Sequence, residues 1–276
     1  MSDTAGASSG KPAILGCIGC GNMGSAILKG LAGREGLSLI GTDVNAGAVK
    51  ALAASIGLEA ADTPKEVVEN ADYVLLCVKP HQMKGLLHDL APHLQPRQTL
   101  ISIAAGLTLE QLKAFSSGVC PVVRIMPNTP AMVGKGVFAV CLDDPALKDS
   151  QKDYVLGMFG SLGQTHVLAE SYFDAFTAVA GSGPAYVFYF MEAVVEAGVA
   201  LGLTRDQSTA MVKGLFTGSA ILAEQSDHHL AQLREMVTSP AGTTIAATNL
   251  MDSHALRGRI IEAVKAACAR SKELGK

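Results

Sequence analysis

Tryptophan is absent from this 276-residue chain, aromatic residues make up 5% of it, and charged residues only 17%. Disordered segments combine low hydrophobicity with high net charge. Here 49% of the residues are hydrophobic and the net charge is -3, so disorder is excluded. A soluble globular protein rich in Ala, Val, Leu and Gly is expected instead. Without a surplus of Lys and Arg there is no electrostatic footprint for nucleic acid or for an anionic membrane. The first ten residues have neither a basic start nor an apolar core. They read as a flexible tail rather than a signal peptide.

Metal chemistry finds no support either. The six cysteines are scattered, and the Cys17-x-x-Cys20 spacing has no second pair to complete a zinc site. They read as reduced cysteines serving as small hydrophobes in a cytoplasmic protein. The seven histidines lack ligand spacing, and no Ser-His-Asp or Cys-His arrangement emerges. The reactive power would then come from a bound cofactor.

What is present begins at Ala13–Ile18, a short apolar run followed by Gly19-Cys20-Gly21-Asn22-Met23-Gly24 and a helical pattern over 25–32. A strand, G-x-G-x-x-G and a helix in that order form a dinucleotide fingerprint. Gly19 allows the tight turn, Gly21 lets the backbone approach a pyrophosphate, and Gly24 lets helix and strand pack closely. The helix N-terminus then presents free N–H groups and a positive dipole end to the phosphates. The next strand, 37–42, ends in Asp43. An acid there hydrogen-bonds ribose hydroxyls, or else caps the helix that follows.

Apolar strands continue to alternate with helices, which indicates a mostly parallel sheet covered on both faces, a Rossmann-type α/β domain. Ligands of such sheets lie beyond the carboxyl ends of the strands. Val78-Lys79-Pro80, Ala104-Ala105-Gly106 and Pro127-Asn128-Thr129 all fall at such ends. Lys79 reads equally as a phosphate contact or as a solvated helix start. Asn128, held between two prolines, reads as a polar contact or as a simple turn residue.

Strand signals stop at residue 168, which places a Rossmann domain over 11–168 and an all-α domain over 169–276. The segment 184–203 is apolar almost all round, so it is buried on every side or crosses a membrane. Glu192 and Glu196 in its middle argue against the membrane. A second copy of the chain could cover it, with Ser182 as its cap. The polar island of this half is Thr238-Ser239-Pro240-Ala241-Gly242-Thr243-Thr244. Hydroxyls and free N–H groups at a helix start make a site for a small carboxylate, or ordinary capping.

The glycine fingerprint, Val78-Lys79-Pro80, Ala104-Ala105-Gly106, Met126-Pro127-Asn128-Thr129-Pro130, Gly181-Ser182-Gly183-Pro184-Ala185-Tyr186 and the 238–244 turn occur in this order. Together they resemble the pyrroline-5-carboxylate reductase family over about residues 13–272. The resemblance implies reduction of 1-pyrroline-5-carboxylate to L-proline by NADPH or NADH, the final step of proline biosynthesis. It also implies a homodimer through the C-terminal helices, often assembled further into a decamer. In that family the serine at 239 and N–H groups at Gly242 and Thr243 bind the substrate carboxylate. The threonine at 244 hydrogen-bonds the ring nitrogen, making Ser239 and Thr244 the catalytic pair. Gly19, Gly21, Asn22, Met23, Gly24, Asp43, Val78, Lys79, Pro80, Ala104, Ala105, Gly106 and Asn128 then face the cofactor. Two positions depart from the pattern: Ala241 stands where a glycine is usual, and Asp43-Val44 offers a carboxylate and no cation. A 2′-phosphate beside Asp43 would be repelled, so NADH should serve at least as well as NADPH. The β-hydroxyacid dehydrogenases share the glycine loop, but their helix lysine is followed by paired asparagines. Here Lys213 is followed by Gly214-Leu215-Phe216.

Overall fold

The computed structural model describes residues 11–275; the tail expected over residues 1–10 lies outside them. Eight strands form one sheet: β1 (Ala13–Ile18), β2 (Leu37–Thr42), β3 (Glu59–Ala60), β4 (Tyr73–Leu76), β5 (Thr99–Ser102), β6 (Val122–Met126), β7 (Gly136–Cys141) and β8 (Gly163–Val167). Between them run α1 (Asn22–Leu31), α2 (Ala46–Ile56), α3 (Pro64–Asn70), α4 (Pro80–Leu90), α5 (Leu109–Phe115) and α6 (Asp149–Gly160). The helices that follow are α7 (Phe173–Phe176), α8 (Gly183–Ala200), α9 (Arg205–Gln225), α10 (Leu230–Met236), α11 (Thr243–Ser253) and α12 (Leu256–Leu274).

The strand order is β3-β2-β1-β4-β5-β6-β7-β8. Every pairing is parallel except β6 with β7, which is antiparallel, Ile125 facing Val140. The expected mostly parallel sheet is therefore present, with one reversal. Each face is sealed by helices. On one face Leu15, Ile27, Leu28 and Leu75 pack with Phe138 and Phe159. On the other, Val67, Leu76, Met83, Leu87 and Leu100 pack with Phe173 and Phe176. A fully buried Leu or Phe contributes roughly 1.5–3 kcal/mol relative to exposure, so sequestering both faces explains the continuous apolar runs. Chain order reverses between β1 and β4, which opens the crevice where doubly wound sheets take their ligands.

The described chain divides into two compact units, one ending at Gly181 but reclaiming residues from Cys268 onward, the other spanning Ser182–Ala267. The expected border near residue 168 and this division differ by the segment 169–181. That segment is helical, but Phe173 and Phe176 belong to the sheet's core, so packing assigns it to the first unit. Residues 177–181 form a π-type turn that runs on into α8. Ser182 consequently has helical dihedrals (φ -84°, ψ -19°) and forms no side-chain cap. The capping role expected for it is not present, because a continuing helix leaves no helix start there to cap.

In the second unit α8 and α9 meet where Gly198 leaves room for Ser208. A methyl group on Gly198 would fall 2.2 Å from Ser208 Oγ, and that hydroxyl donates to the Val195 carbonyl at 2.9 Å. Elsewhere the single chain leaves α8 uncovered, with Val187, Phe188 and Tyr189 exposed. The stretch Glu170–Ala200 is long and apolar enough to cross a membrane by length and composition alone. Its first third, however, packs on the sheet through Phe173 and Phe176, and Glu192 and Glu196 interrupt the rest.

Candidate active site

The turn after β1 can be built only with glycine. Gly19 has φ +98°, and a methyl group on it would collide with the Cys77 backbone at 2.9 Å. A methyl on Gly24 would lie 2.1 Å from the Gly19 carbonyl oxygen, which is why α1 can begin so close to the strand. Nothing lies within 4 Å of the Gly21 position, leaving its backbone open to a ligand. Gly21 is also the N-cap of α1 and supplies no side-chain cap, so the helix start is free for an anion.

Asp43 closes the loop from below. Its Oδ2 accepts a hydrogen bond from Cys20 N at 2.7 Å and its Oδ1 one from Asn45 N at 2.9 Å. The cap of α2 is Asn45, whose Oδ1 accepts from Ala48 N at 3.1 Å. The capping alternative for Asp43 is thereby set aside: its carboxylate is pinned at the crevice.

Two cavities adjoin there. One of about 460 Å³ is lined by Gly19, Gly21, Thr42, Asp43, Val44 and Asp62, among others. The second, about 420 Å³, is lined by Gly21, Asn22, Met23 and Gly24, with Pro80, Ala104, Ala105, Met126 and Pro127 opposite. Cys77, Val78 and Lys79 belong to both. Lys79 is the one Lys or Arg in either lining among the described residues, and it also occupies the N-cap position of α4. The two readings of Lys79 are thus compatible. An adenosine-sized hollow, an open glycine at a helix start and an adjoining hollow suit an extended dinucleotide, and the residues present fit such a cofactor.

Two expected wall residues fall elsewhere. Asn128 is buried, and its amide is spent on the fold: Oδ1 accepts from Val137 N at 2.9 Å and Nδ2 donates to the Ala180 carbonyl at 3.1 Å. It holds the β6 loop in place rather than lining either cavity, because its two amide ends match two backbone groups that burial leaves needing partners. Gly106 lines neither cavity; it makes the turn beside Ala105, at φ +78°. Conversely, sequence reasoning missed Asp62, Cys77 and Gln82 in the linings. Asp62 follows a two-residue strand, too short to leave a periodic signal.

The cysteines beneath the loop are inert. The Cys20 thiol is pushed up by its hydrogen bond with Cys17 and by burial. At Cys17 the Cys20 bond acts downward, but the Cys77 hydrogen bond and burial override it and the thiol is raised. Protonated thiols are neither nucleophiles nor metal ligands. Among the described residues no group of three or more His, Cys, Asp or Glu could hold a metal.

In the second unit, the turn ahead of α11 is shaped by Ala241 at φ +56°. This is the left-handed conformation that the usual glycine adopts without strain, so alanine there carries a cost of order 1 kcal/mol. Gly242 N donates to the Ser239 carbonyl at 3.1 Å. Gly242 is the N-cap and carries no side chain to cap α11. A methyl group on it would meet Ser239 Oγ at 2.3 Å, so that hydroxyl stands at the helix start. The Thr238 hydroxyl donates back to the Arg234 carbonyl of α10, and the Thr248 hydroxyl to the Thr244 carbonyl of its own helix. Those of Ser239, Thr243 and Thr244 take no side-chain cap of the helix.

Known proteins resemble this chain over nearly its whole length. A family model described as "Pyrroline-5-carboxylate reductase dimerisation" matches residues 170–274. One described as "NADP oxidoreductase coenzyme F420-dependent" matches residues 14–106. A pyrroline-5-carboxylate reductase of Glycine max is 38% identical, the match covering 94% of this chain and 95% of that one. The chain belongs to the pyrroline-5-carboxylate reductase family. The solved reductase of Coxiella burnetii superposes with a TM-score of 0.89 at 32% identity, covering 97% of this chain and 100% of that one. The Plasmodium falciparum enzyme, solved with NADP bound, gives 0.85 at 30% identity, covering 96% and 99%. Family membership makes the chain an NAD(P)-dependent oxidoreductase with a Rossmann-type domain and a helical dimerisation domain. It also sets the β-hydroxyacid dehydrogenase alternative aside.

Proposed function

We propose that this enzyme reduces 1-pyrroline-5-carboxylate to L-proline with a hydride from NAD(P)H. The observation that carries the reading is the start of α11, a helix opened by an uncapped glycine with Ser239 Oγ beside it. The partial positive charge and unpaired N–H groups of a helix start favour a carboxylate. Ser239 and the N–H group at Thr243 grip the substrate carboxylate, the expected Gly242 N–H being taken by the Ser239 carbonyl within the turn, while Thr244 Oγ1 hydrogen-bonds the ring nitrogen and orients the imine. The bound nicotinamide supplies the hydride. Gly19, Gly21, Asn22, Met23 and Gly24 cradle its pyrophosphate, with Lys79 as the nearby cation. Asp43 takes the ribose hydroxyls, and Val78, Pro80, Ala104 and Ala105 form the wall around the ring. A threonine hydroxyl is a weak acid, so Thr244 acts mainly by positioning.

Thr244→Ala tests this. Turnover measured by cofactor oxidation should fall on the order of a hundredfold, with the melting temperature unchanged. Unaltered imine reduction removes Thr244 from the mechanism.

Asp43, joined by Asp62, makes NADH at least as good a donor as NADPH. The chain pairs with a second copy through the helices after residue 183, whose exposed Phe188, Tyr189, Met211 and Leu215 need cover. Dimers of this kind assemble further into a decamer, and six unpaired cysteines suit a reducing cytoplasm.

A further inference from the structure

The last turn of α12 returns to the first unit and packs on the wall that precedes α5. Ser271 is buried, and its hydroxyl donates to Asp174 Oδ1 on α7 at 2.6 Å. One turn later the backbone meets Gly106. A methyl group on Gly106 would lie 3.1 Å from the Leu274 carbonyl oxygen and 3.4 Å from Gly275 Cα. A methyl on Gly275 would lie 3.0 Å from the Gly106 carbonyl oxygen. Two glycines far apart in the sequence thus pack backbone to backbone, at a spacing that leaves little room for a side chain on either.

The segment they brace has few bonds of its own. Ile103 N reaches the Leu76 carbonyl and Ala104 N the Ser102 hydroxyl, both at 3.3 Å. The next anchors are Thr108 N, which donates to Gln111 Oε1 at 2.9 Å, and Leu109 N, which donates to Glu170 Oε1 at 2.6 Å. Glu170 is itself held by Arg124 at 3.0 Å, and that guanidinium lies 4.5 Å over the Phe173 ring. Between those anchors, Ala104 and Ala105 line the cavity beside the glycine loop. A loop without ladder bonds keeps its place by packing, and the packing at Gly106 is the end of α12.

We infer that the last turn of α12, through Leu274 and Gly275, is a positioning element for the nicotinamide wall, so that the rate of hydride transfer depends on the chain's C-terminal end. The inference rests on the reductase reading above. Misplacing reacting groups by about 1 Å costs on the order of a hundredfold in rate, whereas the adenosine end of the cofactor, held by Asp43 and the glycine loop, is untouched.

The test uses full-length enzyme, Gly275→Ala, Gly275→Val and a chain ending at Glu273. NADH affinity is read by cofactor fluorescence, and turnover with cofactor bearing hydrogen or deuterium at the transferred position. Kcat should fall in the order Gly, Ala, Val, by on the order of tenfold for valine and for the truncation. The primary isotope effect should rise in parallel as hydride transfer becomes limiting, with NADH affinity changed less than about twofold. Wild-type kcat and isotope effect in both Gly275→Val and the truncation would overturn the inference. So would a loss that follows the folded fraction with the isotope effect unmoved. Failure of the wild-type enzyme itself to reduce pyrroline-5-carboxylate would instead refute the reductase reading, leaving the two outcomes distinct.

Discussion

Replacing Asp43 by serine should turn the enzyme toward NADPH. The wild-type carboxylate is fixed by Cys20 N at 2.7 Å and Asn45 N at 2.9 Å, so it cannot swing away from an incoming phosphate. Asp62 lines the same cavity and adds a second negative charge. Two unit charges 4 Å apart interact by about 1 kcal/mol in bulk water and about 4 kcal/mol at an effective dielectric of 20. A 2′-phosphate carries nearly two charges, but it is partly solvated and screened by salt. A penalty of roughly 1.5–3 kcal/mol follows, or about ten- to a hundredfold in relative kcat/KM. Serine removes the charge and also the bond to Cys20 N, so NADH should lose on the order of tenfold through a slacker loop and lost ribose contacts. The assay is kcat/KM for NADH and NADPH side by side, in wild type and Asp43→Ser, at low and high salt. The wild-type ratio of NADH to NADPH should be at or above about 1 and shrink with salt, and the variant should move it toward NADPH by at least about tenfold. A wild-type enzyme strongly favouring NADPH, or a ratio indifferent to the substitution, refutes the argument.

Other substitutions probe separate parts of the molecule. Gly24→Ala places a methyl group 2.1 Å from the Gly19 carbonyl and should abolish NADH binding in a fluorescence titration. Asp144 is buried, and although burial alone would raise its pKa, hydrogen bonds from Lys113 Nζ, Ala146 N and Val122 N hold it below the ordinary carboxylate range. A depressed folded-state pKa adds stability that is present above the unfolded value and is lost as pH falls through the folded one. Asp144→Asn should therefore cost about 3 kcal/mol at neutral pH and flatten the acid limb of the melting temperature against pH. Phe188→Glu, on the uncovered face of α8, should shift the mass measured by light scattering toward the monomer. Cys120 and Cys141, raised by burial to about 11 and about 12, should resist iodoacetamide at pH 8 in the folded enzyme and react once it is unfolded.

Legibility followed the range of the interactions involved. The strand, glycine loop and α1 were readable because each glycine answers a need within a few residues, and Asp43 was readable because it ends the next strand. The apolar circumference of α8 was equally plain, since burial all round leaves its mark on composition. Asn128 was singled out correctly as special but for a different task. Its partners, Val137 and Ala180, lie 9 and 52 residues away, and nothing near it announces them. The reversal between β6 and β7 was missed because an apolar strand buried on both faces looks the same in either direction.

The sequence by itself determined the dinucleotide cradle, the alternation that makes a doubly wound sheet, and the hydroxyl-bearing turn, since all are written in periodicity and in residues adjacent along the chain. Tertiary structure alone decided which groups share a cavity, that Asn128 serves the fold, that residues 169–181 pack with the sheet, and that Gly275 meets Gly106. Those outcomes depend on how distant surfaces fill one another's space, and close packing leaves no trace in local order.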